Sequence, residues 1–158
     1  MIKGILIGAS FGAVLSVCFS FIFMFIGQGI AGGYVSFWGE SWLYFAALFP
    51  CVITFIYLST YFFRIDTPSN KKMWILSFFV TLFLIWYIST LGALTGEYIV
   101  RGLIQKRETI GVNELGTLGW GSVYALILTP ILTPINRLLL ELFYNILTKF
   151  KATKSSLN

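Results

Sequence analysis

Acid–base chemistry in this chain would fall to six carboxylates and eleven lysines and arginines, because the sequence contains no histidine. Histidine is the commonest general base near neutral pH and the commonest nitrogen ligand of metals, so its absence weighs against triad-type and metal-assisted reactions alike. Glu97 and Arg101 stand one helical turn apart and could act together on a lipid headgroup, but the same spacing describes a helix-surface ion pair, the reading preferred here. Cys18 and Cys51 lie inside apolar runs, where a thiol behaves as a small hydrophobe. The hydroxyls of Thr54, Ser59, Ser77, Thr81, Ser89, Thr129 and Thr133 have no base beside them and can bond their own helix carbonyls. The glycines between Gly27 and Gly33 lack both the strand-to-helix setting and the Lys-Ser/Thr ending of a phosphate loop. No pair of catalytic roles emerges, so the sequence reads as a non-enzyme without metal or cofactor.

The elements that carry these residues are apolar. With 58% hydrophobic and 11% charged residues and a mean hydropathy of +0.86, the chain is predicted to be an all-α integral membrane protein. Four spans of about 20 residues each are expected, at 4–26, 42–63, 73–95 and 115–134, with helical extension past 95 through Ile99, Val100, Leu103 and Ile104. The first run is too long for a cleaved secretory signal, even with Gly29-Ile30-Ala31 as a small-residue exit. Phe37, Trp38, Trp42 and Tyr44, after a glycine-rich connector that reaches Tyr34, mark an interfacial aromatic belt.

Within the first span Gly4, Gly8, Gly12, Ser16 and Ser20 recur at every fourth position, and Ala9 and Ala13 widen the same side. Such a ridge lets another helix backbone sink close, which in lipid is a main source of helix association. It could serve a helix of the same chain, the use favoured here, or a second copy in a homo-oligomer.

The last apolar run is long. From Leu115 to Phe150 a straight helix would reach about 54 Å against a hydrocarbon core of about 30 Å, so a division at Thr129-Pro130-Ile131-Leu132-Thr133-Pro134 is expected. The piece after it, 135–151, is predicted to be a separate amphipathic cytoplasmic helix. Its apolar side would be Ile135, Leu138, Leu139, Leu142, Phe143, Ile146, Leu147 and Phe150, with Asn136, Arg137, Glu141, Asn145 and Thr148 opposite and Leu140 out of pattern. Arg137, Glu141, Lys149 and Lys151 are its candidate contacts to anionic lipid or to a cytosolic protein.

Lys and Arg are unevenly shared between the loops. Lys3, Arg64, Lys71, Lys72, Arg137, Lys149, Lys151 and Lys154 fall on one side, and Arg101, Lys106 and Arg107 on the other, which places both termini in the cytoplasm. The net charge of +5 is then a topology signal and a reason to sit on anionic lipid, with no nucleic-acid partner implied. Glu97, Arg101, Lys106 and Arg107 form the charged outer loop region.

In size and helix number the chain resembles small bacterial inner-membrane proteins such as immunity proteins against pore-forming toxins and the membrane subunit of the Kiwa antiphage defence system. The resemblance rests on helix count and length and carries no functional residue over. It implies a non-enzymatic inner-membrane subunit that anchors, senses for or regulates a partner complex. The rival expectation is a homo-oligomeric channel or small-solute permease. Against proton- or ion-coupled transport stands the lack of Asp, Glu, Lys, Arg and His inside the spans.

Overall fold

A computed structural model describes residues 2–30, 32, 36–37, 40–65, 68–106 and 113–155, with side chains as far as Phe150. Helices account for nearly all of them, and no strand occurs among the described residues. In chain order they are α1 (Ile2–Ile30), α2 (Trp42–Arg64), α3 (Asn70–Tyr87), α4 (Ala93–Glu97) and α5 (Glu114–Ser155). A π-wound segment, Ile88–Gly92, joins α3 to α4 and a second, Tyr98–Ile104, extends α4, which makes one rod from Asn70 to Ile104. Four helical units are thus long and apolar enough to cross a membrane. Trp38 of the expected belt and Tyr34 of the connector before it lie outside the described residues.

Local chemistry starts these elements where the polar hinges end. Ser69 caps α3 by accepting the Lys72 N–H at 3.4 Å. Asn113 Oδ1 accepts the Gly116 N–H at 2.9 Å at the head of α5, where Glu114 also faces the positive end of the helix. At the far end of the third rod the Gln105 N–H reaches back to Val100 O, and Lys106 takes a left-handed φ of 50° that stops the winding. The π-wound segment begins where the Ser89 and Thr90 hydroxyls donate to the carbonyls of Ile85 and Trp86, which perturbs the regular ladder.

Backbone approach sets the packing. All five ridge residues of α1 are buried, and the ridge faces α2 running antiparallel within the same chain. A Cβ on Gly12 would lie 2.6 Å from Cys51 O, one on Gly8 would overlap Phe55 O, and one on Gly4 would enter the Phe63 ring. Ser20 closes the crossing by donating to Leu43 O at 3.1 Å. The opposite side of α2 is met in the same way: a Cβ on Gly92 would lie 2.7 Å from Ala46 O, and one on Gly96 would overlap Trp42 O. Pro50, buried inside α2, has no N–H to offer Ala46 O, so the carbonyl it frees is the one Gly92 approaches.

The separate amphipathic helix at 135–151 is not found. α5 runs unbroken through Pro130 and Pro134, 42 residues or about 63 Å, and its buried stripe continues from Ala125 through Thr129, Thr133, Asn136, Leu140 and Phe143 to Leu147. Both prolines lie on the exposed side of the helix, away from its buried stripe. Leu140, the residue out of pattern, is fully buried, whereas Ile135, Leu138 and Leu142 are exposed. Up to Asn136 the outward side is itself apolar, and small and polar residues mark the inside; beyond it Phe143 and Leu147 are buried and Glu141 and Asn145 exposed, as expected.

Gly8→Leu and Gly12→Leu are therefore expected to cost about 1–3 kcal/mol or more of stability, since the obstructing atoms are backbone carbonyls that cannot turn aside. Gly29→Leu, where an added Cβ meets nothing within 4 Å, should leave the thermal midpoint in detergent unchanged or slightly raised. Equal midpoints for all three would contradict the α1–α2 packing.

Candidate functional site

Three groups of candidate residues end up in three places. The ridge lies between α1 and α2. The Arg101 Nε sits 3.2 Å from Glu97 Oε1 at one end of the bundle, as a partly exposed i,i+4 pair of the kind that contributes little net energy. Lys106 is exposed just past the end of the same rod, and Arg107 lies outside the described residues. At the other end Arg137 Nη1 binds Glu141 Oε2 at 2.9 Å while its Nη2 reaches Asn70 Oδ1 at 3.2 Å. Arg137 thus ties α5 to the head of α3. Lys149 lies on the exposed side three turns further on, and the Lys151 side chain is outside the described residues.

Between these ends the helices enclose features that the sequence reading passed over. Asn136 is buried, and its Nδ2 donates to Ser77 O at 3.2 Å and to Thr81 Oγ1 at 2.8 Å. Ser77 and Thr81 in turn donate to Met73 O and Ser77 O. A second polar crossing lies higher between the same helices. Ser89 Oγ sits 2.6 Å from Ile85 O and 3.0 Å from Gly121 O, and Trp86 Nε1 donates to Ser122 Oγ at 3.2 Å. The sequence signal for both crossings was small or polar residues recurring at helical spacing along α5, the same signal that exposed the α1 ridge.

An aromatic node joins α1, α2 and α5. The Phe11 ring lies 4.8 Å from those of both Phe55 and Phe143, and Phe55 meets Phe143 edge-on at 5.0 Å. Beyond the node a cleft of about 350 Å³ lies among the helices. Its inner wall is Ala47 and Cys51 of α2 with Leu84 and Ile85 of α3, and Asn136 and Thr81 mark one end. Phe23 on α1 and Tyr124 and Ile135 on α5 line it while remaining about half exposed, so the cleft opens sideways between the first and last helices. The side-chain donors of Ser20, Thr81, Ser89, Asn136 and Trp42 along it are already engaged within the protein. The surface it offers is therefore hydrocarbon.

Among the described residues no three His, Cys, Asp or Glu side chains come together. No family model, curated protein or solved structure matches this chain.

Asn136→Ala should cost about 1–2 kcal/mol, the worth of a pair of interhelical hydrogen bonds in a membrane bundle, whereas Asn145→Ala on the exposed side should cost almost nothing. Thermal unfolding in detergent reads the difference. Indistinguishable midpoints would show that the crossing contributes nothing.

Proposed function

We propose that this chain is a non-enzymatic, multi-pass subunit of the bacterial cytoplasmic membrane, with both termini inside, that anchors, senses for or regulates a partner protein complex. Antiphage defence or toxin immunity is the setting suggested by its size and helix number. The observation that carries the reading is the course of α5. It continues for eight residues past its last described buried side chain, Leu147, and it does so at the end of the bundle where Lys3, Arg64, Lys71 and Lys72 also lie.

This stretch of α5 offers a mixed exposed side, with Leu138, Leu142 and Phe150 beside Glu141, Asn145 and Lys149. A cytosolic protein is the partner proposed for that side, and the basic end also suits anionic headgroups. Sensing is assigned to the opposite end, at Glu97, Arg101 and Lys106. Two observations support contact over conduction. The α1 ridge is already occupied by α2, and the interhelical hydroxyls bond carbonyls of their own bundle without lining a polar path.

A tagged full-length chain, extracted from native membranes in mild detergent, should bring down a soluble protein in fixed stoichiometry. The variant Lys149→Glu with Lys151→Glu and Lys154→Glu should insert normally and lose that protein. Recovery of a homo-oligomer alone, conducting in planar bilayers, would overturn the proposal in favour of a channel.

A further inference from the structure

We infer that the cleft between α1 and α5 binds one hydrocarbon tail of a membrane lipid, entered sideways from the bilayer. The inference rests on the membrane placement proposed above. Size, length, wall chemistry and access each narrow the occupant.

The cleft is small, about 350 Å³. Yet it is more than twice the cavity of about 150 Å³ that accepts a benzene-sized molecule. Its length is that of a chain. From Tyr124 to Asn136 along α5 is about 18 Å, close to the 15 Å or so that one leaflet contributes to the hydrocarbon core.

The inner walls select against polar ligands, because the hydroxyls of Ser20, Thr81 and Ser89 and the amide hydrogens of Asn136 are satisfied by neighbouring carbonyls and by one another. A ligand that needed donors from these groups would have to break those bonds, which leaves the Tyr124 phenol at the lip and the weak Cys51 thiol. Access completes the case. The half-exposed Phe23, Tyr124 and Ile135 form lips on the flank of the bundle, so the cleft communicates with the region that acyl chains occupy and not only with its ends. Trp42 lies on its wall with the indole N–H turned to Glu40, an interfacial setting suited to the glycerol and headgroup of the same lipid.

Native mass spectrometry of the full chain, washed with detergent until peripheral lipid is stripped, tests this. The protein should retain a single phospholipid-mass adduct. Leu128→Trp, which fills the cleft from α5, should lose it, while Leu126→Trp on the exposed side of the same helix should keep it. Should Leu128→Trp fail to insert, Leu84→Phe makes the same test from α3. Wild-type protein that sheds all lipid, adducts retained equally by the cleft variants, or a retained peptide or non-lipid molecule would each overturn the inference. Carbonate extraction run alongside separates the two levels. A chain that resists extraction yet carries no lipid sinks the cleft assignment alone, whereas a chain released by carbonate removes the membrane placement beneath it.

Discussion

The fold depends on how closely other helices can approach the backbone of α2. Once helices are surrounded by hydrocarbon, no hydrophobic gain remains for bringing them together, and association relies on dispersion and on polar contacts of the backbone itself. α2 is approached on two sides at positions without side chains, by Gly8 and Gly12 of α1 and by Gly92 and Gly96 of the third rod. At each of these the nearest obstruction to an added carbon is an α2 carbonyl. Pro50 adds to this, since it leaves Ala46 O without its helical donor at the point where Gly92 draws near.

With α2 held on both sides, the remaining helix must pack mainly elsewhere. α5 lies along α3 through the Asn136 and Ser89 crossings and meets α1 and α2 at the Phe11–Phe55–Phe143 node. Above that node the first and last helices bound an opening, and the cleft follows from this arrangement. Arg137, which reaches Asn70 across from α5, ties that helix to the head of α3, at the end of the bundle where Lys3, Arg64, Lys71 and Lys72 also lie.

Much of this was legible in the residues. The four apolar runs and the five-member ridge could be read because their signals are local, a length of hydrocarbon and a four-residue period. The division of α5 at its prolines was expected and did not occur. A proline removes one backbone bond, but Leu140, Phe143 and Leu147 continue the stripe that begins at Ala125, and the packing of that whole stripe outweighs the lost bonds. Asn136 was placed outward because polarity normally points to water. In an apolar surrounding it points inward, to Ser77 and Thr81. The cleft itself had no sequence signature, since it is bounded by four helices whose lateral arrangement no local pattern specifies.

Cysteine accessibility in sealed, right-side-out membrane vesicles tests the central claim of a four-span bundle with its ends sorted by charge. On a background of Cys18→Ala and Cys51→Ala, single cysteines replace Lys3, Glu40, Lys106 and Lys149 in turn, and a membrane-impermeant maleimide is added before or after permeabilisation. The account predicts that positions 40 and 106 react in intact vesicles and that positions 3 and 149 react only once the membrane is opened. Reaction of positions 106 and 149 from the same side would mean that α5 does not cross, and the architecture described here would be contradicted.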